Sequence, residues 1–238
     1  MSRIEATLKN LLRVREKALI AYVMAGDPSL DATARIVLEI ERAGADLIEI
    51  GVPFSDPIAD GPTIQKAADR ALKYNVSLSD VLNLVEDLRK QTQVPLILMS
   101  YCNPILAYGL SQFFKEAGRV GVNGLIVPDL PPEEAGDFLP LARTEQIDMI
   151  FLVAPTTPDE RLKKILKVSS GFVYYVPLTG VTGSKLFGKE AVCRRISELK
   201  THTNLPVAVG FGISTPEAAR EIAQAADGVI VGSALVKI

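Results

Sequence analysis

DLIEIGVPFSDPIADGP, residues 46–62, runs from a short apolar strand into a loop dense in Pro, Asp and Gly. Period-two alternation puts Leu47, Glu49 and Gly51 on one face of that strand and Ile48 and Ile50 on the other. Glu49 therefore points where a core side chain would normally go. A carboxylate in such a place destabilises the fold unless it is paired, hydrogen-bonded or put to use. The stretch reads as strand, then functional loop, then helix.

The same grammar recurs along the whole chain. Apolar or β-branched runs begin at Ala18 (ALIAYVMAG), Asp46, Pro95 (PLILMSY), Gly124 (GLIVPD), Asp148 (DMIFLVAP), Gly171 (GFVYYVPL), Pro206 (PVAVGFGI) and Gly228 (GVIVGSA). None has a close hairpin partner. Helical segments lie between them, with starts such as Thr157-Pro158-Asp159-Glu160 and Thr215-Pro216-Glu217. Eight strands alternating with helices predict an α/β fold of the (β/α)8 TIM-barrel type, one domain over residues 1–238. A doubly wound open sheet is the alternative, but no G-x-G-x-x-G follows the first run. There Ala25-Gly26-Asp27-Pro28 makes a tight turn suited to a cis bond before Pro28.

Two connections are enlarged, those after the second and sixth strands. Loops at strand C-termini build the active site of such barrels, so extra length there marks function. The first holds Asp56 and Asp60 and an extra helix over Pro62–Leu72; the second, TGVTGSKLFGKE from Thr179, reads as a mobile lid.

With 48% hydrophobic and 23% charged residues and a net charge of −2, the chain suits a core-forming soluble protein and lacks a nucleic-acid footprint. Cys102 and Cys193 have no short spacing between them and suggest neither a disulfide framework nor a metal knuckle, which points to a reducing, cytoplasmic setting. The N-terminal MSRIEATLKNLLRVREK places Ile4, Leu8, Leu11 and Leu12 at helical spacing behind a Ser2/Glu5 capping box, the pattern of a folded helix and not of a signal peptide. No run reaches membrane-span length. His202 is the only histidine and sits in a polar stretch, so proton transfer falls to Asp, Glu, Tyr or Lys.

Glycine turns end the last two strands, Gly210-Phe211-Gly212-Ile213-Ser214 and Gly232-Ser233-Ala234, each leading into a helix. Together they favour a phosphate cradle over simple packing turns, with Ser233 as a hydroxyl donor and Gly183 of the lid completing it. Tyr22, Met99, Tyr101 and Tyr174 at strand ends could line a pocket for a flat ring. Glu49 would lie between ring and phosphate, unless it is a structural carboxylate paired inside the barrel. For Asp60, turn former and catalyst remain equal readings, because Asp60-Gly61-Pro62 is a good turn sequence.

These motifs, in order, resemble the tryptophan synthase α-subunit family. The likeness runs from Lys17 to Lys237 and rests on Ala25–Pro28, Glu49–Pro57, Ala59–Pro62, Val127-Pro128-Asp129-Leu130-Pro131, Gly180-Val181-Thr182-Gly183, Gly210–Gly212 and Gly232–Ala234. It implies a lyase that splits indole-3-glycerol phosphate into indole and glyceraldehyde 3-phosphate with no cofactor of its own. It implies Glu49 as general acid and base, and Asp60 as stabiliser of charge on the ring nitrogen, held by Thr182 on lid closure. Gly183, Gly212, Gly232 and Ser233 would hold the phosphate, with Tyr22, Tyr101 and Tyr174 at or near the ring.

The resemblance also implies an α2β2 complex. A β subunit carrying pyridoxal phosphate would dock near Pro53, Asp56, Pro57, Asn103, Asp129 and Pro131. The sequence departs from the family where Pro177-Leu178-Thr179 replaces a Ser-Arg pair, and in stopping at Ile238, where the family continues with a final helix. Those departures leave open an allosteric ligand-binding subunit with weak activity of its own. Another phosphosugar barrel enzyme is the third reading.

Overall fold

The computed structural model describes residues 1–177, 189–210 and 212–238. Its strands are β1 Ala18–Met24, β2 Leu47–Gly51, β3 Leu96–Met99, β4 Gly124–Ile126, β5 Asp148–Ile150, β6 Leu152–Val153, β7 Val173–Tyr175, β8 Val207–Gly210 and β9 Gly228–Val231. All pairings are parallel, in the order β5-β4-β3-β2-β1-β9-β8-β7-β6. The fifth run of the sequence supplies both ends of this order. Its first half pairs with β4 and its second with β7, and Phe151 between them still accepts the Tyr174 backbone N–H at 3.1 Å. Nine segments are thus eight strands, and the sheet closes on itself as a (β/α)8 barrel.

Alternation sorts the buried residues into two clusters. Ile20, Tyr22, Leu47, Ile97, Ile126, Phe172, Tyr174 and Ile230 fill the barrel interior. Ile48, Ile50, Leu96, Leu98 and Val209 face outward into the layer between strands and helices. The N-terminal helix Arg3–Arg13 contributes Ile4 and Leu8 to the inner cluster and so closes the floor of the barrel. Ser2 Oγ accepts the Glu5 N–H at 3.1 Å and itself donates to the Asp148 carboxylate, whereas the Glu5 side chain pairs with Lys9. A side chain at Gly124 would collide with Ile4 Cδ1 at 2.8 Å, which explains the glycine at the start of β4.

The connection after β2 carries the extra helix Pro62–Leu72, with Pro at its first turn, before the helix Leu78–Arg89. The connection after β3 also carries two helices, Cys102–Tyr108 and Leu110–Val120, an enlargement that spacing alone did not reveal. Arg89 ties the barrel floor together through the carbonyls of Gly121 (2.9 Å) and Val94 (2.6 Å) and the Asn123 side chain (2.5 Å). The Asp27–Pro28 peptide bond is cis. Among the described residues no helix is long and apolar enough to cross a membrane.

Candidate active site

A cavity of about 600 Å³ opens at the C-terminal ends of the strands. Glu49 enters it from β2, in register with Tyr22 of β1 and Ile97 of β3. It is 1% exposed, and its Oε2 has no hydrogen-bond partner among the described residues. Among the described residues no Lys or Arg pairs with it, so the structural ion-pair reading of this carboxylate finds no support there. Burial, and then the charge of Asp60, push its pKa up to about 8. The carboxyl is therefore largely protonated at neutral pH and able to donate a proton.

Asp60 is half-buried on the wall of the same cavity. It immediately precedes Gly61, the N-cap of the Pro62–Leu72 helix, and Gln65 from that helix donates to its backbone carbonyl at 2.8 Å. Its turn role and its place in the cavity therefore coexist. Burial raises its pKa, and a hydrogen bond from the Tyr101 hydroxyl opposes that rise. The same hydroxyl accepts the Ala59 N–H at 3.2 Å. Tyr101 thus stands behind Asp60 as a brace, stacked near Phe54 with ring centroids 5.3 Å apart, and is not among the residues lining the cavity.

Tyr22 and Tyr174 do line it. Each ring lies across a glycine of a neighbouring strand. A side chain at Gly51 would meet Tyr22 Cζ at 2.7 Å, and one at Gly210 would meet Tyr174 Cζ at 2.6 Å. These two glycines make room for the tyrosines, a pairing that alternation could have suggested once the barrel register was known. Met99, Ile64, Ile126, Leu152 and Ile230 add apolar wall. Sequence reasoning singled out only Met99 of this group, since isolated core aliphatics carry no signal of which end of a barrel they occupy.

Across the cavity lie Gly212, Ser214, Gly232 and Ser233. Gly212 has φ +77°, a left-handed conformation that favours glycine. The two glycine turns read separately from the sequence therefore converge on one wall. Thr182 and Gly183 lie outside the described residues. Of the residues expected at a partner interface, Asp56 and Asn103 are exposed, Pro57, Asp129 and Pro131 are half-buried, and Pro53 is buried beneath them. Asp129 also has an internal task, accepting the Cys102 N–H at 2.9 Å at the start of the Cys102–Tyr108 helix.

The family model described as tryptophan synthase alpha chain matches residues 8–238. The chain belongs to the tryptophan synthase alpha chain family. The tryptophan synthase alpha chain of Geotalea uraniireducens is 50% identical over 238 residues, covering 100% of this chain and 89% of its own length. A crystal structure of tryptophan synthase subunit alpha from Legionella pneumophila superposes with a TM-score of 0.93 at 41% identity, covering 100% of this chain and 88% of that one. A tryptophan synthase complex from Pyrococcus furiosus gives a TM-score of 0.83 at 42% identity, covering 92% of this chain and 88% of that one. As a member of the tryptophan synthase alpha chain family the chain is a carbon–carbon lyase of tryptophan biosynthesis, cleaving indole-3-glycerol phosphate.

Proposed function

We propose that Glu49 and Asp60 carry the cleavage of indole-3-glycerol phosphate in this chain. The observation behind this reading is a buried carboxyl whose Oε2 has no hydrogen-bond partner among the described residues, in one cavity with a second carboxyl, and burial raises its pKa. The ring would lie among Tyr22, Tyr174 and the aliphatic wall. Glu49 would protonate the ring carbon that bears the glycerol side chain, and Asp60 would accept the hydrogen bond of the ring N–H as positive charge develops there. Glu49, now a carboxylate, would take the proton of the hydroxyl on the adjacent carbon. That carbon becomes the aldehyde, and the electrons of the broken carbon–carbon bond return to the ring to give indole.

Gly212, Gly232 and Ser233, with Gly183, would hold the phosphate through backbone N–H groups and one hydroxyl. Thr182 would steady Asp60, and Tyr101 braces it from behind. The likeness to a tryptophan synthase complex from Pyrococcus furiosus supports work within a complex, and the family resemblance implies an α2β2 one with a tryptophan synthase β subunit. The β subunit would dock over Pro53, Asp56, Pro57, Asn103, Asp129 and Pro131, and pyridoxal phosphate would belong to it. Release of indole from indole-3-glycerol phosphate, measured with and without a β subunit, tests the reading. Indole formation in either case supports it, and no indole in both overturns it.

A further inference from the structure

We propose that Lys237 is the cation that pairs with the substrate's phosphate and sets its affinity, an inference that rests on the cleavage reading above. Lys237 is the only Lys or Arg among the described residues lining the cavity. The other ionisable groups there are Glu49 and Asp60, both carboxyls, together with Tyr22 and Tyr174. A phosphate monoester brings roughly two negative charges at neutral pH. Backbone N–H groups and the Ser233 hydroxyl supply partial charge but no formal cation.

Position supports the assignment. Lys237 follows the short helix Ser233–Val236 and keeps helical backbone angles, φ −83° and ψ −16°. It is therefore four residues beyond Ser233 on the same side of one turn, and both residues line the cavity. Its ammonium enters no salt bridge or side-chain hydrogen bond among the described residues, so no internal carboxylate competes for it. A compact charge on a flexible four-carbon stem suits an exposed rim, where it can follow the phosphate as the substrate settles.

The test compares wild type, Lys237→Gln and Lys237→Arg in steady-state cleavage of indole-3-glycerol phosphate, with glycerol 3-phosphate as a competing phosphomonoester. Lys237→Gln is expected to raise KM, and the inhibition constant of glycerol 3-phosphate, roughly tenfold with kcat nearly unchanged. Lys237→Arg should restore most of that loss. Added salt should weaken glycerol 3-phosphate binding to wild type more than to Lys237→Gln. An unchanged KM in Lys237→Gln overturns the assignment, as does an equal fall in kcat with no effect on glycerol 3-phosphate. Absence of cleavage by wild type strikes instead at the reading on which this inference rests.

Discussion

The Tyr101 hydroxyl donates to the Asp60 carboxylate while accepting the Ala59 N–H, so one group fixes both the charge state and the backbone of the loop. Tyr101→Phe removes both bonds and keeps the ring packed on Phe54. Because the lost bond lowers the pKa of Asp60, its removal lets that pKa rise further. The acidic limb of the pH–rate profile should move to higher pH, and kcat should fall roughly ten- to a hundredfold, as expected for a hydrogen bond to a charged group. A profile superimposable on wild type would show that the brace is idle.

Glu49→Gln should lower cleavage by about 1,000-fold or more while leaving ligand binding largely intact, since it removes the proton carrier and keeps the shape. Asp60→Asn should cost less, on the order of a hundredfold, because it alters an electrostatic contact. Single-turnover indole formation, with glycerol 3-phosphate binding as the control, separates the two. Near-normal turnover in Glu49→Gln would remove Glu49 from the mechanism.

Stability should depend on pH through the same carboxyl. Its folded pKa of about 8 lies above the ordinary value of 4.5, so the native state holds a proton that the unfolded chain has released. Between those values stability falls as pH rises, at about 1.4 kcal/mol per unit, for a total of a few kcal/mol. Urea melts of wild type and Glu49→Gln from about pH 5 to about pH 8 should diverge, the variant gaining relative stability toward the alkaline end. Parallel curves would mean that the carboxyl is hydrated in the folded protein.

Arg89 offers a contrasting case far from the cavity. Arg89→Met strands the carbonyls of Val94 and Gly121 and leaves Asn123 Oδ1 with the Leu96 N–H as its remaining donor, and should destabilise the fold by about 2–4 kcal/mol. Its kcat at a temperature where it remains folded should match wild type. A loss of turnover without a loss of stability would contradict this division.

The alternation that puts Glu49 inside is local, and it was legible from five residues of β2. Closure at the fifth strand was not, because the exchange of partners at Phe151 depends on register with β4 and β7, which are distant in sequence. Asp60 stayed divided between turn and catalyst for a similar reason: Asp-Gly-Pro favours a turn whether or not the side chain faces a cavity. The pairing of Tyr22 with Gly51 and of Tyr174 with Gly210 arises only when neighbouring strands are laid side by side. Tyr101 differs again, since a strand-end tyrosine can face a ligand or support a neighbour, and only its bonds to Ala59 and Asp60 and its place outside the cavity lining distinguish them.

The helix that seats Ile4 and Leu8 under the barrel has a bearing on traffic. With the floor plugged by aliphatic side chains, a small aromatic product formed in the cavity, as proposed, would find no route downward among the described residues. Among the described residues the way left to it is the mouth at the strand C-termini, whose rim carries Ser214 and Lys237. Whatever covers that rim therefore becomes the next compartment the product meets, and handover needs no sorting step within this chain.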